Sequence, residues 1–235
     1  MSFLSKLAIL FLPVFALAVT AQFLVTPTST ASPEILTVVI DAGHGGIDGG
    51  VTGTESGVKE ADINLDAAKR LKKLFKATGV NAVMTRETSA GLYGALSSGF
   101  KVRDLNRRVE IAKEVDADVF VSVHMNKYSD SSRRGAQVFF AANDSRSKFL
   151  AECVQKALNE MPSSVRKSSA LAGDYYVLNN APCPAIICEY GFLSNHEDEK
   201  LLLDGDYLEK ISYAVFSGVV DYLSTSDTAL PSAKE

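Results

Sequence analysis

The chain has 235 residues, a formal net charge of −4 and an apolar fraction of 46%. That is enough chain and apolar surface for one domain with a large core. The mild acidity excludes the broad cationic face of a nucleic-acid binder, so no nucleic-acid partner is expected. The densest basic run, Lys69, Arg70, Lys72, Lys73 and Lys76, falls within one predicted helix and reads as its solvated face.

In chain order, Leu7 to Val25 carries no charge and follows a short start holding Lys6. Residues 1–25 read as a signal peptide or a membrane anchor. The run is long enough to span a bilayer, and Val19-Thr20-Ala21 offers small residues for cleavage before Gln22. Either outcome puts the rest of the chain outside the cytoplasm, secreted or held at the membrane. Residues 26–34, rich in Thr, Ser and Pro, read as a linker. Ile35–Ile40 is a predicted strand. Asp62–Phe75 has helical spacing through Ile63, Ala67, Leu71 and Phe75, with Gly79 as its cap. Asn81–Thr85 is a second strand, and Ser89–Phe100 a Gly- and Ser-rich loop. Val102, Leu105, Val109 and Ala112 mark a second helix. Ala117–Val123 and Gly135–Ala141 are strands. Phe149, Leu150, Val154 and Leu158 mark a third helix. Tyr175–Leu178 and Ala185–Tyr190 are read as short strands. Ser194-Asn-His-Glu197 is a capping box, and Leu208, Ile211, Val215 and Val219 mark the last helix. The domain is expected over 35–223, with a disordered tail over 224–235. Alternating strands and helices predict a single α/β domain, a mostly parallel or mixed sheet of about six strands with helices on both faces.

Ligands of such sheets bind beyond the carboxyl ends of strands. His44 lies a few residues past the first strand, His124 ends Val119-Phe-Val-Ser-Val123, and Glu189 ends Ala185-Ile-Ile-Cys188. Each alone reads as a hydrogen-bonded rim residue; together, at equivalent strand ends, they suggest one site. The loop Asp41–Gly50, DAGHGGIDGG, fails as a phosphate cradle. A dinucleotide fingerprint after Gly43 and Gly45 needs glycine where Asp48 stands, and the G-K-[ST] of a P-loop is missing. Serine hydrolysis would prefer G-x-S-x-G, which does not occur. Cys188 sits in an apolar strand as a small core residue, and the odd set Cys153, Cys183 and Cys188 gives no disulfide framework or cysteine metal knot. Zinc remains: a catalytic zinc commonly takes two His and a carboxylate. His44 and His124 supply nitrogen, and the carboxylate stays open among Asp41, Asp48, Glu55, Glu60 and Asp62.

The series V-V-I-D-A-G-H-G-G, K-E-A-D-I-N-L, S-V-H-M-N and C-E-Y-G-F-L-S-N resembles the zinc-dependent N-acetylmuramoyl-L-alanine amidases of bacterial cell walls, the amidase-3 type, over residues 36 to about 222. The resemblance implies that Zn2+ is held by His44, Glu60 and His124, that Glu189 is the catalytic carboxylate, and that peptidoglycan is the substrate. Leu92–Phe100 before Lys101-Val-Arg-Asp-Leu-Asn-Arg107 is similar to the germination-specific amidases of spore formers, which implies a role in spore cortex and muramic-δ-lactam formation. Asp41 and Asn126 would flank the ligands, His196 would be a surface residue, and an accessory protein stays open. Two rivals are a cell-wall carboxypeptidase, for which Arg86 could grip a free carboxylate, and a wall-binding module without activity. The glycines Gly43, Gly45 and Gly46 are expected to keep the metal's surroundings open.

Overall fold

The computed structural model describes residues 35–229, without the side chains of 226–229. The signal or anchor expected over 1–25, the linker over 26–34 and residues 230–235 lie outside the described residues. Twelve elements follow in order: β1 Thr37–Ala42, α1 Glu60–Ala77, β2 Asn81–Met84, α2 Phe100–Glu114, β3 Val119–Asn126, β4 Gln137–Phe140, α3 Ser145–Glu160, β5 Leu171–Ala172, α4 Tyr176–Asn180, β6 Ala185–Phe192, α5 His196–Leu202 and α6 Gly205–Ala229. Among the described residues no helix is long and apolar enough to cross a membrane.

The six strands form one sheet in the order β2-β1-β3-β6-β4-β5. The first four are parallel, β4 runs antiparallel to β6, and β5 runs parallel to β4. The mixed sheet expected from the alternating pattern is therefore present. β1, β3 and β6 are buried on both faces, which is why they read as nearly unbroken apolar runs. One face, with Val38, Ile40, Val121, Ile186 and Cys188, packs against α1, α3 and α6. The other, with Val39, Phe120 and Ile187, is covered by α2 and α4.

Helix α1 shows how sequence sets one of these layers. Its Ala67, Ala68, Leu71 and Phe75 are fully buried in one stripe. Burying Leu71 contributes about 1.5–3 kcal/mol. Glu60 and Asp62 in the first turn and Lys76 in the last complement the helix dipole. Thr78 Oγ1 donates to Phe75 O at 2.8 Å, and Gly79 at φ 83° ends the helix in a conformation that glycine adopts without strain.

Several expected boundaries move. β1 starts at Thr37, because Ile35 is exposed, and runs on to Ala42. Tyr175–Leu178 is not a strand: Tyr176–Asn180 is a short helix that turns Val177 and Leu178 into the core. The missed strand is β5, two exposed residues. Asn195, not Ser194, caps α5, its side chain accepting from Asp198 N at 3.0 Å, while Ser194 Oγ accepts from Tyr128 N. α6 continues to Ala229 where a disordered tail was expected. Ser224 and Thr225 hydroxyls donate back to Val220 O and Asp221 O, which lets polar residues extend a helix.

Candidate metal centre

The carboxyl ends of β1, β3 and β6 are neighbours in the sheet. Past β1 the chain makes one further bond to β3, Gly43 N to Val123 O at 3.1 Å. His44 then takes φ 61°, a left-handed conformation that costs a non-glycine residue about 1 kcal/mol or more. Two buried arginines hold the loop in that shape. Arg86 donates to Ala42 O (2.8 Å), Gly43 O (2.9 Å) and Ala61 O (2.8 Å). Arg108 donates to Ala42 O (2.8 Å) and His44 O (2.7 Å). Arg86 therefore serves the backbone and does not stand in the cleft as a carboxylate grip. Arg108 also pairs with Asp41 at 2.5 Å and Asp104 at 2.7 Å. Burial alone would raise the Asp41 carboxyl; Arg108, Ser122 and Thr85 outweigh it and hold Asp41 below the usual carboxylate range. Burial and the Arg108 charge push Arg86 down to about 10, still a cation at neutral pH.

His44, Glu60 and His124 converge. One ligand atom from each lies within 4.8 Å of the others, an arrangement that could hold a metal ion. Glu60 Oε1 sits 3.2 Å from His44 Nε2 and 2.8 Å from His124 Nδ1. Met125 N (3.2 Å), Val51 N (2.9 Å) and Asn64 Nδ2 (3.2 Å) donate to the same carboxylate. Burial would raise the Glu60 carboxyl, but its bonds to the two imidazoles hold it far below the ordinary value. Asp48 Oδ1 takes the other nitrogen of His44 at 3.1 Å. Burial would lower His44, and Glu60 and Asp48 raise it overall.

The geometry separates the five carboxylates that sequence left open. Asp41 is bound to Arg108, Asp48 orients His44, Glu55 lies against His196 on the surface, and Asp62 is exposed, so Glu60 alone joins both histidines. The residues fit a metal: two imidazoles and one carboxylate are the donor set of a catalytic site. The loop closes tightly on them. A Cβ at Gly43 would fall on the His124 ring, 2.7 Å from Nδ1, and one at Gly50 (φ 68°) would meet Glu60 Oε2 and come 2.8 Å from His44 Cδ2. Gly45 and Gly46 do something other than open the site. A Cβ there would meet Ala90 O at 2.8 Å or the Tyr93 hydroxyl, because the segment after β2 packs onto them.

Glu189 faces this group. It pairs with His124 in the β3–β6 register, is 8% exposed, and its Oε2 has no hydrogen-bond partner. Burial pushes its carboxyl up to about 7; His124 and His44 pull down, and Glu60 pushes up. The cleft in front has a volume of about 310 Å³ and is walled by Tyr93, Phe100, Lys101, Tyr175 and Tyr176. Cys188 is fully buried, and burial drives its thiol far above the ordinary value, so it is no nucleophile. His196 is on the surface, 2.6 Å from Glu55. Asn126 accepts from Lys127 N and, through its carbonyl, from Leu193 N, which is a structural role. Sequence reading missed Arg108, Asp104, Asn64 and the orienting role of Asp48; only their neighbourhood to the candidate motifs could have marked them.

Two imidazoles, a buried carboxylate and an unpaired carboxyl at the mouth of a cleft are the equipment of a metal-assisted hydrolase. Residues 38–221 match the Amidase_3 family, N-acetylmuramoyl-L-alanine amidase, and the chain belongs to it. Its activity is that of the family, an enzyme cutting peptidoglycan at the muramoyl amide. Among solved structures, the CwlD amidase of Clostridioides difficile, in complex with the GerS lipoprotein, is 34% identical, covers 81% of this chain and 99% of its own, and has a TM-score of 0.77. An N-acetylmuramoyl-L-alanine amidase of Clostridium difficile 630 is 28% identical, covers 81% and 98%, and has a TM-score of 0.73. The germination-specific N-acetylmuramoyl-L-alanine amidase of Bacillus subtilis is 29% identical over 191 residues, 80% of this chain and 79% of the relative.

Proposed function

We propose that this chain hydrolyses the amide between the lactyl group of N-acetylmuramic acid and L-alanine with Zn2+ held by His44, Glu60 and His124, and with Glu189 as the proton carrier, outside the cytoplasm during spore-cortex modification. The observation that carries the site assignment is the orphaned, buried Oε2 of Glu189 beside the His-Glu-His group. The cortex role is supported by the likeness to the germination-specific and CwlD relatives. Residues 1–25 would export the chain or anchor it to the membrane.

Zinc at this position would polarise the scissile carbonyl and acidify water. The chain's own groups do the rest. Asp48 accepts from His44 Nδ1, which leaves Nε2 directed at the centre. Glu60 is kept ionised by its three backbone and side-chain donors and the two imidazoles. Glu189 Oε2, bound to nothing else, accepts the proton of the attacking water and returns it to the leaving nitrogen of L-alanine. Burial raises its carboxyl and so favours the proton-carrying form it needs to return the proton. A carboxypeptidase reading loses its arginine, since Arg86 is spent on carbonyls.

Digestion of purified cortex and vegetative peptidoglycan by the zinc-loaded full chain tests the proposal. Release of new N-terminal alanine is expected, with cortex favoured; release of a C-terminal residue instead would overturn it. The relative solved with GerS suggests an accessory lipoprotein for this chain too, and co-purification would test that.

A further inference from the structure

A second built surface lies on the same rim. A groove of about 250 Å³ follows the start of β4, lined by Arg133, Arg134, Arg166, Lys167, Gln137 and Phe192. Gln137 pairs with Glu189 in the β4–β6 register, so the groove adjoins the site through one strand. The Arg133 guanidinium lies 4.6 Å above the Tyr128 ring and 5.9 Å from that of Phe192, which places its charge. Arg134 is bound to Asp198 at 3.2 Å, and Asp130 is the other acid nearby. Among the described residues no carboxylate comes within 4.0 Å of the charged nitrogens of Arg133, Arg166 or Lys167, as an ion pair would require. Three cations beside a reaction centre, in a chain of net charge −4, call for an anion.

The substrate has one on one side only. The glycan around the muramoyl amide is uncharged, whereas the stem peptide beyond L-alanine carries free carboxylates on its following residues. Phe192 is three residues past Glu189 on β6, but the register shifts between them, so they stand opposite His124 and Asn126, two residues or roughly 7 Å apart along β3. An extended peptide covers about 3.3–3.6 Å per residue, so the second stem residue reaches that distance. The cleft itself is lined by Tyr93, Phe100, Tyr175 and Tyr176, rings on which sugar faces stack.

We infer that the Arg133–Arg166–Lys167 groove binds the free carboxylates of the stem peptide and so sets the direction in which the substrate lies across the cleft. This rests on the site and substrate assigned above. The test uses the metal-loaded full chain and two muramoyl dipeptides, one with a free α-carboxylate on its second residue and one with a carboxamide there. The parent is expected to favour the carboxylate roughly three- to tenfold in kcat/KM, mostly through KM, and about 0.5 M salt to shrink the preference. The double variant Arg133→Gln, Arg166→Gln should cut both at the parent's carboxamide rate, with the loss on the carboxylate substrate falling mainly on KM. Equal parent rates on the two dipeptides, or a preference that survives the double change, overturn the groove. Digestion of intact peptidoglycan runs alongside: if the parent fails there, the substrate assignment itself is overturned.

Discussion

Gly43→Ala puts the candidate centre under a defined load. The added Cβ would lie 2.7 Å from His124 Nδ1 and nearer still to Cε1 and Nε2. Carbon and ring atoms need about 3.5 Å, so the ring must give way by roughly 1 Å. It cannot retreat freely, because Glu60 Oε1 holds Nδ1 at 2.8 Å on its other side. Overpacking of this kind costs about 1–3 kcal/mol, and an off-rotamer imidazole adds about 0.5–1.5 kcal/mol. If His124 is a ligand, as proposed, its displacement should cut metal affinity by at least roughly 10–100-fold. Gly57→Ala is the matched control: φ is 71°, but no atom lies within 4 Å of the new Cβ, so it costs backbone strain alone. Elemental analysis after dialysis against a competing chelator, with melting curves in parallel, reads the difference. If Gly43→Ala keeps the parent's metal content, the close packing of the loop on His124 has no bearing on metal binding and the argument fails.

Glu189→Gln should retain metal and lose about 10²–10⁴-fold in rate, since it removes only proton transfer; full turnover would show the wrong residue had been chosen. In chelator, the same variant isolates a pH effect. Glu189 has a folded pKa of about 7 against 4.5 unfolded, so its contribution to stability is full below 4.5 and is lost as pH rises through about 7. Urea titrations should therefore show the parent losing a few kcal/mol relative to Glu189→Gln between about pH 4.5 and 8; parallel curves would refute the burial argument. Arg108→Met leaves Asp41 charged and uncompensated in the core, and should cost about 3–5 kcal/mol in denaturant. Chelation should lower both the melting temperature and the activity, and added metal should restore them.

The core strands were legible because burial on both faces leaves one mark, a run such as Val119-Phe-Val-Ser-Val123 that only a strand inside a covered sheet can use. The polar residue that ends such a run has to find a partner, which is how His124 and Glu189 stood out. Glu60 could not be chosen by the same reasoning. It sits on α1, and only the docking of that helix against β1 and β3 brings its carboxylate between the histidines. Tyr175–Leu178 failed for a different reason. Four residues with high strand propensity cannot report which partner they will meet. Here Tyr176 bonds Asn106 of α2, and Val177 and Leu178 enter the second core, so contact with α2 decides for a helix.

Arg86 and Arg108 mark the limit of such reading and explain the loop. Nothing in composition distinguishes a buried arginine from a solvated one, and a buried ion pair adds little net stability compared with well-packed apolar side chains. What these two contribute is position. Between them they take the carbonyls of Ala42, Gly43 and His44, three consecutive residues, and keep His44 in its left-handed conformation. Asp41, held by Arg108, Ser122 and Thr85, ties that charge back to β1 and β3. The glycines of DAGHGGIDGG are therefore not there to loosen the loop. Gly43 and Gly50 let it close on His124, His44 and Glu60, Gly45 and Gly46 let the segment after β2 press on it, and the arginines pin the result. A site whose proposed ligands come from a loop, a helix and a strand needs such a clamp on its least regular member.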